Sequence, residues 1–138
     1  MAQTQVITDQ GIGELVLLWA GSAASKLSKI VALDKATVVT AAVGSTFAAP
    51  GSSSAHHTDS GLDIAAIDTV STDTTNTTGD TITFDHVFAA TDTKNVAGIQ
   101  TCNDDGDKAY HECGFNAVLA MENTDTLTLD GESTIEQA

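Results

Sequence analysis

The 138-residue chain has no arginine, one proline, one tryptophan, one tyrosine and two cysteines, and its only cationic side chains are Lys26, Lys29, Lys35, Lys94 and Lys108. Against these five lysines stand 19 acidic residues, giving a formal charge of −14. Without arginine, bidentate reading of bases or phosphates is lost, and so acidic a surface cannot displace counterions from phosphate, so nucleic acid is excluded as a partner. Anionic membrane surfaces are excluded for the same reason. No basic segment precedes the first apolar run, LVLLWAG, which is too short to span a bilayer. The sequence therefore predicts a protein made in the cytoplasm, with no membrane partner. Two cysteines in a chain without an export signal would stay reduced in the cytoplasm, but a protein released from the cell meets oxygen, so compartment does not settle whether they pair.

Signatures of catalysis are also scarce. No serine sits in a G-x-S-x-G elbow, GIGELV lacks the glycines of a dinucleotide loop, and no Walker sequence occurs. Six aromatic residues offer little with which to wall a pocket that would shift a carboxyl pKa. The expectation is a protein that is not an enzyme, with no catalytic residue and no cofactor.

What is present reads as mainly β. One segment has helical periodicity: in TDQGIGELVLLWAGSA the residues Ile12, Leu15, Val16 and Trp19 recur at i, i+3, i+4 and i+7. Thr8 or Asp9 supplies the N-cap, and Gly21 ends a helix of about residues 8–20. Its apolar stripe predicts a face turned to the core, with Trp19 first a core residue and second a partner contact.

From about residue 26 to 137 the chain is rich in Thr, Val and Ile and cut by Gly, Asn, Asp and Ser. Strands are expected at Leu27–Leu33, Thr37–Val43, Leu62–Val70, Thr81–Ala89, Val96–Cys102, Ala109–Ala117 and Thr124–Leu129, with a last one at Ser133–Gln137 after a turn at Asp130-Gly131. About ten residues per strand suggest an antiparallel β-sandwich or small barrel, in one domain over 1–138. Alternation places Ile82, Phe84 and Phe88 on one face of their strand, with His86 on that apolar side as a core or edge histidine. Leu127 and Leu129 point inward by the same logic. The polar stretches 50–61 and 71–80 read as mobile loops or exposed tips.

The densest cluster of reactive side chains is TCNDDGDKAYHECGF, residues 101 to 115. NDDGD has the composition of a calcium loop. The EF-hand spacing fails because Lys108 stands where glycine is needed and Gly114 where the bidentate glutamate is needed, which leaves Asn103, Asp105 and Asp107 as calcium candidates in another geometry. For zinc, His111 and Cys113 share a strand face and Cys102 approaches from the partner strand, but no C-x-x-C pair anchors the set. The cysteines could form a disulfide or remain two separate buried thiols. A strict two-residue turn at Asp105-Gly106 would not place Cys102 opposite Cys113, so a bridge requires a longer loop or a bulge.

Four short motifs occur in order: Ile7-Thr8-Asp9-Gln10-Gly11 leading the helix, Asp80-Thr81-Ile82-Thr83-Phe84, Glu112-Cys113-Gly114-Phe115-Asn116-Ala117, and Asp125-Thr126-Leu127-Thr128. In this order the chain resembles a family of small virion accessory proteins of tailed phages and tailed archaeal viruses, described as tail-fibre-like or decoration proteins. It departs in carrying ALDKATVVTAAVGST where such proteins have a glycine-rich segment, and in its acidic end. The resemblance implies a non-enzymatic structural protein located in the virion. It would be a homotrimeric capsid decoration protein bound to the major capsid protein, with a tail or baseplate fibre component as the alternative. A calcium- or glycan-binding β module is a third expectation. Partner contacts are expected at Trp19 and, in the two polar loops, at His56, His57 and Asn76.

Overall fold

A computed structural model describes residues 3–75 and 81–134. The chain forms β1 (Thr4–Ile7), α1 (Asp9–Trp19), β2 (Leu27–Asp34), β3 (Ala55–His56), β4 (Ala65–Ala66), β5 (Thr69–Asp73), β6 (Thr81–Ala89), β7 (Lys94–Asn103), β8 (Ala109–Met121) and β9 (Thr126–Thr134), with a 3-10 turn at Gly51–Ser53. All pairings are antiparallel and fall into two sheets, β1-β8-β7-β2-β3 with β4 added to β2, and β5-β6-β9. The fold is mainly β, a sandwich of two antiparallel sheets with one N-terminal helix. Among the described residues no helix is long and apolar enough to cross a membrane.

The core lies between the sheets. Ile30, Ala32, Val96 and Ile99 of the larger sheet meet Phe84 and Phe88 of the smaller, with Leu62, Ile67 and Met121 closing the ends. Ile30 with Ala32 and Phe84 with Phe88 are inward positions of period-two strands, whereas Val96 and Ile99 share a face because the β7 register shifts between Val96 and Gly98. β6 spans Thr81–Ala89 as its alternation requires, and His86 is buried on the same side as Phe84 and Phe88. Leu127 and Leu129 pack partly buried against this core.

The opposite face of the larger sheet is covered by irregular chain. Residues 37–43, whose β-branched content predicts a strand, pair with none. Val39 is instead buried against Leu33 and Ala97 as part of a small second cluster. The segment is fixed by side chains: Thr40 N donates to Ser52 Oγ at 2.8 Å, Ala41 N to Thr4 Oγ1 at 2.8 Å and Ala42 N to the Glu112 carboxylate at 3.0 Å. Three further expectations are corrected. Leu62–Val70 breaks into β4 and the start of β5, with Ile67 buried between them. Asp130-Gly131 is not a turn: β9 runs through it, in unbroken register with β6 from Thr126 to Thr134, so Ser133 continues β9, and residues 135–137 of the expected last strand lie outside the described residues. Finally, the 50–61 stretch is neither a tip nor loose, since His57 N donates to Ala32 O at 3.0 Å and Gly51, Ser54 and His57 are buried.

Candidate docking surface

Helix α1 begins because Thr8 caps it, its Oγ1 accepting from Gly11 N at 3.1 Å. The residues that fasten it to the body are polar or small. Thr8 is fully buried and its hydroxyl donates to Ala109 O, while Thr8 N donates to Tyr110 O at 2.9 Å. Gln10 Oε1 accepts from both Phe47 N (3.1 Å) and Ala109 N (2.9 Å). Gly11 lies on the β8 backbone so closely that an added Cβ would stand 2.8 Å from Tyr110 O. Glu14 is buried and accepts from Ser25 N at 2.6 Å, and the Tyr110 hydroxyl donates to Ser25 O.

The apolar stripe predicted to face the core therefore faces outward. Ile12, Leu15, Val16, Leu17, Leu18 and Trp19 are all exposed, Leu18 by 65% and Trp19 by 86%. Trp19 is thus corrected from core residue to the most exposed large hydrophobic side chain among the described residues, which leaves it as a partner-contact candidate. Ile7 and Val43 are also exposed, and Val43 O accepts from Asp9 N at 2.8 Å, which places it at the helix start. Scattered exposed apolar residues are ordinary, but a contiguous set on one helix marks a surface made to be covered.

Of the other predicted partner contacts, His56 and His57 do not join it. His57 is buried, with its Nε2 2.7 Å from Asn95 O. His56 Nε2 lies 2.8 Å from Gln100 Oε1, and its ring packs on Phe47 at 4.2 Å. Both imidazoles fasten their loop to the larger sheet, which is why that loop is ordered. Asn76 lies outside the described residues.

The metal and disulfide candidates resolve into structural roles. The β7–β8 hairpin is closed by Asn103, fully buried, whose Oδ1 accepts from Asp107 N and Lys108 N at 3.0 Å each and whose Nδ2 donates to Asp107 Oδ1 at 2.7 Å. An amide nitrogen on a carboxylate already satisfies the pair, and Asp105 points to solvent, so these three do not converge as calcium ligands. Among the described residues no group of three His, Cys, Asp or Glu side chains is arranged to hold a metal ion.

Cys102 pairs with Ala109, and Cys113 with Ile99. The two cysteines sit three residues apart along the strands, roughly 10 Å at the usual rise, beyond disulfide reach, and both are free. Burial pushes the Cys102 thiol up to about 12, with Lys29 opposing weakly, and raises the Cys113 thiol as well.

His111, the third zinc candidate, connects the sheets. Its Nδ1 lies 2.8 Å from Thr101 Oγ1 of β7 and its Nε2 lies 2.7 Å from Ser133 Oγ of β9, with Phe84 packed on the ring at 5.5 Å. The Ser–His–Thr order has the outline of a nucleophilic triad. Burial lowers the imidazole pKa to about 4, and a neutral threonine cannot stabilise an imidazolium as a carboxylate does, so the histidine is a poor base at neutral pH. It acts as a hydrogen-bonded bolt.

Periodicity alone could not reveal the main buried polar centre. Glu112 is fully buried on the loop-covered face and accepts from Ala42 N (3.0 Å), Ser45 Oγ (2.7 Å), Gly51 N (2.8 Å) and Gln100 Nε2 (2.8 Å). A buried carboxylate is tolerated only with such saturation, and here it ties the 42–51 chain to the sheet. Glu112 opposite Gln100 in the strand register is the only signal the sequence carries of it.

Comparison of the chain with protein-family models, curated proteins and solved structures gives no match.

Proposed function

We propose that this chain is a non-enzymatic structural protein of a viral particle, docking through the outer side of α1 onto the major capsid protein lattice as a decoration protein. The observation that carries the reading is the inverted helix: it is anchored by Thr8, Gln10, Gly11 and Glu14 and offers six large apolar side chains to solvent. Such a surface has most to gain from burial, and an aromatic such as Trp19 is the residue type that dominates interface energetics. The small β-sandwich, the order of its sequence motifs and the net charge of −14 support the same reading, the charge giving an assembled particle an acidic, salt-tolerant coat. A homotrimer straddling neighbouring capsomers fits a decoration role.

Quantitative gels of purified particles test this. A copy number comparable to the major capsid protein is expected, and a handful of copies per particle overturns the capsid assignment in favour of a tail or baseplate fibre. Trp19→Ser together with Leu18→Ser should abolish incorporation while the purified protein keeps its fold.

A further inference from the structure

The sandwich is open along one side. Among the described residues β1 is the outer strand of the larger sheet and pairs only with β8, and β9 is the outer strand of the smaller and pairs only with β6. Between them lies a cleft of about 450 Å³, bounded by Gln5 and Ile7 on one side and by the continuous run 128–133 on the other, with Phe84, Ile99 and Phe115 at its base.

An unpaired strand edge is a template for another strand, and proteins usually blunt it with lysine, proline, a bulge or a short length. β9 uses none of these. It is nine residues long, contains neither Lys nor Pro, and keeps register with β6 without a bulge. What it does carry is charge of one sign: Asp130 and Glu132 are exposed, alternating with Leu129 and Gly131, which turn toward the sandwich interior. Asp130 already stands opposite Asp85, an unfavourable like-charge pair, so the outer side of this sheet is acidic with no cation in register. A second copy laying its own β9 alongside would set Asp130 and Glu132 against their equivalents, on a molecule of charge −14.

We propose that the free edge of β9 binds an extended segment of a partner chain by strand addition, and that the segment alternates apolar and basic residues. Main-chain hydrogen bonds to β9 supply affinity without regard to sequence. Side chains on one face enter the cleft over Phe84, Ile99 and Phe115, and those on the other meet Asp130 and Glu132. This surface is separate from α1 and stands whether or not the helix docks on a capsid.

The test uses the full chain and capped nine-residue peptides: one alternating Val and Lys, one alternating Val and Glu, and a Val/Lys peptide N-methylated along one edge. The Val/Lys peptide is expected to slow hydrogen exchange of alternate amides within Thr126–Thr134 by about tenfold or more, with neither control doing so. Asp130→Asn with Glu132→Gln should weaken its binding by about fivefold or more. Three results overturn the proposal: no protection of β9, equal protection by the Val/Glu peptide, or protection at α1 in place of β9. Concentration-dependent protection without peptide would identify a second copy as the occupant and also overturn it.

Discussion

The ring of Phe84 lies over Gly131 of the neighbouring strand, in the space a side chain there would need: the two residues are register partners, and an added Cβ would overlap the ring. The glycine that reads as half of a turn is present because an aromatic crosses it. Gly131→Ala is expected to push Phe84 off its position, costing about 1–3 kcal/mol by overpacking. Urea unfolding measures this, and in a Phe84→Leu background the same substitution should cost clearly less, since the overlapping ring is gone.

Glu112 should tolerate no replacement. Glu112→Ala leaves the donors of Ala42, Ser45, Gly51 and Gln100 facing a void, and a loss of roughly 3–5 kcal/mol is expected. Glu112→Gln keeps the shape but sets an NH2 group against N–H and O–H donors, so most of that loss should remain. Hydrogen exchange would report the same event locally, as faster exchange across residues 42–51 before the strands loosen.

Acid should weaken the fold through its histidines. His111 has a folded-state pKa lowered to about 4 by burial, and burial also lowers that of His86, whose Nδ1 stands 3.4 Å from Asp68 without an aligned hydrogen bond. A depressed histidine pKa means the unfolded chain binds the proton first. The His111 contribution is therefore complete above about pH 6.5 and is lost as pH falls toward 4, amounting to roughly 2–3 kcal/mol. Unfolding free energies measured between pH 7 and pH 4 should show this slope, and His111→Gln should flatten most of it. A slope unchanged in that variant would sink the assignment.

The two thiols should behave as separate groups. Reductant should leave the intact mass unchanged even after exposure to air, because the register keeps Cys102 and Cys113 apart. Iodoacetamide at neutral pH should label Cys102 only after unfolding, since burial holds its thiol protonated.

Exposed and anchoring positions of α1 should respond oppositely to substitution. Leu18→Ser or Trp19→Ser is expected to change unfolding free energy by no more than about 0.5 kcal/mol, the usual range for surface positions. Gly11→Ala, which drives a methyl group into the Tyr110 backbone, should destabilise by about 1–3 kcal/mol. Trp19 fluorescence in the free protein should be red-shifted and quenched readily by iodide.

Much of this architecture was legible from pattern. Strict alternation placed β6 at its true limits, and the helical period placed α1 within a residue or two. Where the sequence misled, tertiary partners were the missing information. Thr37–Val43 has the composition of a strand but lies over the face of the larger sheet and not beside an edge: β3 and β4 share the far side of β2, and Thr4 and Glu112 hold the segment down. β1, four residues long, is too short to show a period and exists because β8 offers it an edge. The apolar stripe on α1 was visible, yet periodicity reports that a helix has an apolar side and not what covers it. His56 and His57 stood out as a pair, and only the fold shows that each is consumed in holding its loop.

The helix that is pinned from beneath by a threonine, a glutamine, a glycine and a glutamate separates two sets of evolutionary constraints. Its lower side answers to folding and its upper side only to whatever it touches. Changes at Ile12, Leu15, Val16 and Trp19 can therefore retune partner choice without being filtered by the stability of the sandwich. A lineage could exchange one binding counterpart for another while the scaffold beneath stays the same.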